Sequence, residues 1–148
     1  MFTRFAALAF AAVTALPAQQ AIELNASEKQ FQESMSNVTL TGFFTVEDAS
    51  EASADKYSIG KVAKIGEDLW SFEASIEYNN RPFKAIVKVP IKWAGDTPVM
   101  TLSNYLIKGH GVYSARILIH GGMYAGTWGT QAKGGKMFGK IVKNEPAQ

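Results

Sequence analysis

The 148-residue chain contains no cysteine. That absence excludes a disulfide framework, a zinc site built on thiolates, a cysteine nucleophile and the lipid-acceptor cysteine of a bacterial lipoprotein. A chain of this length buries a sizeable core without covalent cross-links, so we expect its stability to come from packing.

Long apolar runs are also scarce, and the run at residues 5–16 is only 12 residues long. Because spanning a bilayer takes about 20 apolar residues, this run predicts no membrane anchor. Arg4 before the run and Pro17-Ala18 after it are instead typical of a secretory signal peptide. We predict a signal peptide at residues 1–18, with cleavage after Ala21 as the alternative. The protein is then exported, either to the periplasm or outside the cell.

The chain has no large excess of charge of either sign. Loss of Arg4 with the signal peptide leaves 14 Lys and Arg residues against 13 Asp and Glu residues. This balance gives no basis for a nucleic-acid partner or a polybasic membrane contact, and we expect neither.

The remaining residues, 19–148, have the length of one domain, and they begin with a short helix. Asn25 and Glu28 have the spacing of a capping box, while Phe31 and Met35 lie on one helical face. We therefore predict a helix at about residues 26–36, with an apolar face that packs on strands.

From Val38 onward the apolar residues alternate with a period of two, which indicates strands. Residues 47–56 interrupt this pattern with small and acidic residues and predict a long mobile loop. The alternation slips at Gly60 in the next strand, which predicts a β-bulge. The predicted strands cover residues 38–46, 57–65, 70–78, 83–91, 99–106, 112–120, 123–128 and 137–142.

Eight strands in series with short connections predict an all-β fold. The simplest arrangement is an eight-stranded antiparallel up-and-down barrel, because closing the sheet removes its exposed edges. A two-sheet β-sandwich remains the alternative.

Two sets of segments carry a resemblance to known proteins. The short helix, the eight-strand meander and the glycine-aromatic strand at residues 124–128 together resemble a small lipocalin-like (calycin-like) barrel over about residues 25–142. The segments KWAGDTP at 92–98, AGTW at 125–128 and GGKMFG at 134–139 also resemble a group of uncharacterised exported bacterial proteins. These resemblances imply a barrel, export and a bacterial source, and they imply no activity.

Motifs for cofactors and catalysis are incomplete. Residues 129–137 (GTQAKGGKM) lack the first glycine and the final Ser or Thr of a P-loop. His120-Gly121-Gly122 has no accompanying Gly-x-Ser-x-Gly elbow. We therefore predict no catalytic residues and no cofactor.

Metal ligands are few as well. His110 and His120 are the only histidines, too few for a histidine-rich metal site. The acidic residues Glu47, Asp48, Glu51 and Asp55 lack the ligand spacing and central glycine of an EF-hand. We predict no metal site and interpret these acids as part of a solvated loop.

The aromatic residues of the inward strand faces are the main candidate site. An eight-stranded barrel is wide enough either to be filled by side chains or to hold one small ligand. The helix and the loop at 47–56 would then lie at the two ends of the barrel as lids. The predicted interior, and tentative ligand-binding, residues are Phe44, Trp70, Phe72, Tyr78 and Phe83.

Three functions remain open at this stage. The first is a non-enzymatic binding protein that holds a small apolar ligand in the barrel. The second is a filled barrel that contacts other envelope proteins through its outer surface. The third is an acid-base enzyme, which would require Tyr113, Glu73 or His120 to converge on one pocket.

Overall fold

The computed structural model describes residues 21–78 and 81–146. In these ranges the chain forms one helix and eight antiparallel strands, which close into a single barrel in sequence order. The elements are α1 (Ala26–Met35), β1 (Val38–Phe44), β2 (Ser53–Lys64), β3 (Leu69–Tyr78), β4 (Arg81–Ala94), β5 (Thr97–Ile107), β6 (Gly111–His120), β7 (Met123–Gly129) and β8 (Gly134–Lys143). β1 pairs with both β2 and β8, so the up-and-down barrel is confirmed and the sandwich is wrong.

The predicted signal peptide at residues 1–18 lies outside the described residues. In the described ranges, no helix is long and apolar enough to cross a membrane.

The helix α1 begins with the predicted capping box and covers one end of the barrel. The Glu28 N–H donates to the Asn25 side chain at 2.9 Å, and the Asn25 N–H donates to the Glu28 carboxylate at 3.0 Å. On the apolar face, the Phe31 ring meets the Trp70 ring edge to face with centroids 5.1 Å apart. We call the covered end the helix end and the opposite end the open end.

An ion pair attaches α1 to the barrel wall. The Lys64 ammonium at the end of β2 donates to the buried Glu28 carboxylate at 2.6 Å. This bond lowers the pKa of Glu28 below its ordinary value, although burial opposes the shift. Gln32 adds a hydrogen bond from its side-chain amide to the Val62 carbonyl at 3.0 Å. Polar bonds from Glu28 and Gln32 and the apolar packing of Phe31 therefore hold α1 on the end of the barrel.

The predicted loop at residues 47–56 is too long. β2 begins at Ser53, so residues 53–56 belong to a strand. Asp55 alternates in step with Tyr57 and Ile59, so its side chain points into the barrel. A hydrogen bond from Tyr124 on β7 to its carboxylate reduces the cost of burying an acidic residue there. The predicted bulge is confirmed, because the β2–β3 register shifts between Ile59 and Val62.

β4 and β5 separate over most of their length. Only Ile91 to Ala94 pair with Thr97 to Met100, although both strands extend much further toward the open end. Pro90 has no N–H to donate to β5, and the ladder ends at the next residue, Ile91. We call the unpaired stretch, residues 81–90 of β4 facing residues 101–107 of β5, the β4–β5 gap.

Candidate functional site

The lumen of the barrel has two halves that differ in packing. At the helix end, Trp70 and Phe72 are 0% and 2% exposed, and they pack with Phe31 of α1. Val89 and Ile91 of β4 are buried with them. This half is filled by the chain's own side chains.

Most inward side chains of the open half are only partly buried, although Met137, which pairs with Phe44, is 7% exposed. They come from strands all around the barrel and are mostly apolar or aromatic. The half-buried members are Phe44, Tyr57, Ile76, Phe83, Val87, Leu102, Tyr113, Ile117 and Trp128. We call this half of the lumen, with its partly exposed apolar lining, the open cup.

The five predicted interior residues do not form one constellation. Trp70 and Phe72 belong to the filled half, whereas Phe44 and Phe83 line the open cup. Phe44 meets Trp128 edge to face with centroids 5.8 Å apart, and Phe83 stacks on His110 at 3.7 Å. The Tyr78 side chain lies outside the described part of the structure.

A polar contact runs along the inner wall of the barrel. Tyr124, only 1% exposed, donates its hydroxyl to Asp55 Oδ1 at 2.9 Å. These two residues lie on β7 and β2, and two strands separate them. The paired residues along the way are glycines, Gly139 on β8 and Gly42 on β1.

The two glycines make room for this contact. A Cβ at either Gly42 or Gly139 would lie 2.7 Å from the Tyr124 hydroxyl oxygen, well inside van der Waals distance. The absence of side chains at these positions therefore lets the Tyr124 hydroxyl reach the Asp55 carboxylate.

The second oxygen of Asp55 has no partner. Asp55 Oδ2 is buried and accepts no hydrogen bond, and no other buried side-chain nitrogen or oxygen in residues 21–78 and 81–146 shares this state. Burial raises the pKa of Asp55, while the Tyr124 hydrogen bond and the nearby Tyr57 hydroxyl oppose the rise. Burial and the Asp55 carboxylate in turn raise the pKa values of both tyrosines above their ordinary range.

The chain matches no protein-family model, no curated protein and no solved structure. The geometry of this barrel is therefore the basis for its functional interpretation.

The residues considered for acid-base catalysis do not converge. Glu73 and His120 are exposed on the outer side of the barrel. Tyr113 is half-buried and donates its hydroxyl to the His110 carbonyl at 2.9 Å. Nor do the four acids of the predicted loop gather, since Glu47, Asp48 and Glu51 are exposed whereas Asp55 faces the lumen. Among the described residues no three His, Asp or Glu side chains form a group suited to a metal ion.

The outer surface carries two grooves. One, of about 520 Å³, follows the β4–β5 gap and is lined by Lys88, Tyr105 and Arg116 among others. The other, of about 930 Å³, lies over β1 and contains Phe43 and Phe138. These two rings are 48% and 46% exposed and lie 6.1 Å apart.

Sequence reasoning missed the Asp55–Tyr124 pair. The signal available for Asp55 was its alternation with Tyr57 and Ile59, which the acidic, small-residue composition before it obscured. Nothing in the sequence pairs Gly42 with Gly139, because that contact depends on how β1 meets β8.

Proposed function

We propose that this protein is an exported, non-enzymatic binding protein that holds one small, largely apolar molecule in the open cup. The observation that carries this proposal is the contrast between the two halves of the lumen. Most inward apolar residues at the helix end are buried, although Trp93 and Met100 are partly exposed, whereas most at the open end are half-buried, with Met137 the buried exception. Removing such surface from water favours binding by about 25 cal/mol per Å² before the entropic cost of association is subtracted.

The lining of the open cup has the composition of a small-molecule site. Such sites are concave, mostly apolar and aromatic, with a few polar groups that orient the ligand. Phe44, Phe83 and Trp128 supply the aromatic surface, and Asp55 supplies a polar group. The eight-stranded barrel is also one of the folds whose interior has room for one small ligand.

Export and family relationship belong to this proposal as well. The pattern of residues 1–18 supports export to the periplasm or to the outside of the cell. The closed barrel is consistent with a lipocalin-like fold, and we propose on this basis and on the sequence resemblance that the chain is related to lipocalin-like and exported bacterial proteins.

Native mass spectrometry of the protein purified gently from its own host tests the proposal. We expect a stoichiometric mass increment above that of the polypeptide, and denaturation should release a small, largely apolar molecule. A bare polypeptide mass in every preparation, together with no uptake of added apolar compounds, would contradict the proposal.

One observation favours a second candidate function, a barrel that binds an envelope protein through its outer surface. Phe43, Phe138, Ala125 and Leu118 are cross-strand neighbours in a single outward row over four strands. An exposed apolar row of this kind is typical of an interaction surface. Under this alternative, replacing Phe43 and Phe138 with Ser abolishes a specific complex in chemical cross-linking, while the lumen stays empty.

A further inference from the structure

We propose that Asp55 anchors the ligand in the open cup, and that the ligand is an amphipathic amine: an apolar body carrying a protonated amino group that donates to Asp55 Oδ2. This inference rests on the proposed function and specifies the class of ligand. The observation behind it is the buried, unpartnered Oδ2 beside a half-buried apolar lining.

Within the described ranges, the partners of Asp55 leave one oxygen without a hydrogen-bond donor. Tyr124 already donates to Oδ1, and Oδ2 has no partner in the described ranges. An acceptor buried without a hydrogen bond is costly, so buried carboxylates are normally paired. Because Oδ2 is closed to solvent, a ligand donor meets it when the Asp55 carboxylate turns toward the cup, and this contact would complete the set of hydrogen bonds.

The surroundings of Asp55 favour a cationic donor over a neutral one. In the described ranges, the ion pairs are Lys64 with Glu28 and Lys92 with Asp68, so Asp55 has no cationic partner of its own. Burial disfavours the Asp55 carboxylate, and a nearby positive charge would offset that penalty. An alcohol could donate a hydrogen bond but would not supply charge, and a carboxylate ligand would be repelled.

Three probes of equal chain length distinguish these cases: decylamine, decanol and decanoate, each below the concentration at which it forms micelles. Isothermal titration at neutral pH measures their affinities for the wild-type protein, the Asp55→Asn protein and the Glu77→Gln protein. Glu77 is an exposed carboxylate on β3 and serves as the matched control.

We expect the wild-type protein to bind decylamine at least about tenfold more tightly than decanol, because hydrogen bonds between charged partners are stronger than those between neutral ones. Decanoate should bind least tightly. The Asp55→Asn protein should bind decanol as before but lose the preference for the amine, and the Glu77→Gln protein should keep it.

Two results would overturn the inference while leaving the proposed function intact: similar affinities of the wild-type protein for all three probes, or an amine preference that survives in the Asp55→Asn protein. Failure of all three probes to bind the wild-type protein would overturn the inference and the proposed function together.

A second measurement applies if the Asp55→Asn protein does not fold. Titrations of the wild-type protein at decreasing pH should show the advantage of decylamine over decanol disappearing as Asp55 is protonated. Among the described residues, the titratable groups near Asp55 are tyrosines, namely Tyr57 on its own strand, Tyr124 on β7 and, beside Tyr57, Tyr113 on β6. Phenols carry no charge in acid, so they do not add a competing titration. An advantage that persists in acid would overturn the inference.

Discussion

At the scale of single residues, Tyr124 and Asp55 link strands that are not neighbours in the barrel. The hydroxyl of Tyr124 reaches across β8 and β1 to Asp55 Oδ1, and only glycines lie at the paired positions in between. Packing of a tyrosine over strand glycines compensates for the side chains that those positions lack. The arrangement joins β7 to β2 along the inner wall of the barrel.

Gly42→Ala should destabilise the barrel by about 1–3 kcal/mol or more, the cost typical of overpacking. The new methyl group would overlap the Phe138 carbonyl and approach the Tyr124 hydroxyl oxygen. Urea unfolding measures the effect. Gly60→Ala is the control, because its nearest neighbour would be Glu73 Oε2 at 3.4 Å, and its free energy of unfolding should change by under about 1 kcal/mol. Equal effects of the two substitutions would contradict this account.

Asp55 should make the folded protein less stable as the pH rises. The unfolded chain ionises Asp55 near its ordinary pKa of about 3.9. Burial raises the pKa in the folded protein, so between the two values the folded state binds more protons. The free energy of unfolding therefore decreases through this window with rising pH.

The Asp55→Asn protein cannot undergo this titration. We subtract the free energy of unfolding of the variant from that of the wild type, and this difference should be larger at about pH 3.5 than at about pH 7. Urea unfolding at both pH values measures the difference. An unchanged or opposite difference would show that burial does not dominate the pKa of Asp55.

At the scale of elements, α1 and the β4–β5 gap give the two ends of the barrel different characters. Phe31 on α1 lies within 6.2 Å of three aromatic rings, those of Trp70, Phe72 and Trp93, all in T-shaped contacts. By contrast, β4 and β5 lack ladder pairing beyond Pro90 toward the open end. The helix end is therefore tightly packed, and the open end has fewer backbone constraints.

Phe31→Ala should reduce the free energy of unfolding by about 3–5 kcal/mol, because it removes a buried ring from the centre of the helix-end core. Lys29→Ala, an exposed position on the same helix, should change it by under about 0.5 kcal/mol. Chemical denaturation measures both. A small loss for Phe31→Ala would mean that α1 does not contribute to the core.

Tyr105 closes part of the β4–β5 gap through its hydroxyl, which accepts from the Lys88 N–H and donates to the Ile86 carbonyl, both at 3.3 Å. Tyr105→Phe should therefore increase the hydrogen-exchange rate of the Lys88 amide. The amide of the next residue, Val89, points toward β3 and should keep its protection. Exchange measured by NMR tests this, and an unchanged Lys88 rate would show that the hydroxyl does not protect this edge.

The sequence predicted the elements well where one periodicity dominates. The alternation in β3 and β4 fixed their hairpin, and Asn25 and Glu28 fixed the start of α1. The start of β2 was missed because residues 53–56 contain no large apolar side chain that would indicate a strand. Their pairing with β1 and β3 makes them part of the strand despite this composition. The β4–β5 gap was also missed, although Pro90 is a local reason for it.

At the scale of the whole molecule, the barrel is closed at the helix end and open at the other. Closure follows from eight consecutive antiparallel pairings, and the number and order of strands were predictable from the sequence. Which half is filled was not, because it depends on where α1 docks and on which inward residues face one another across the lumen. The unpaired edge of β4 carries Pro82 and Pro90 with Lys84 and Lys88 between them, residues that discourage pairing with another chain.

Isoleucine methyl NMR tests most directly whether an apolar molecule binds in the open cup, as we propose. Decanol is titrated into protein labelled at the isoleucine δ1 methyl groups. Ile76 and Ile117 line the open cup, whereas Ile86 and Ile65 are exposed, at 64% and 41%. We expect saturable shifts at Ile76 and Ile117 with Ile86 and Ile65 unchanged. No shifts, or shifts confined to the exposed pair, would contradict the account.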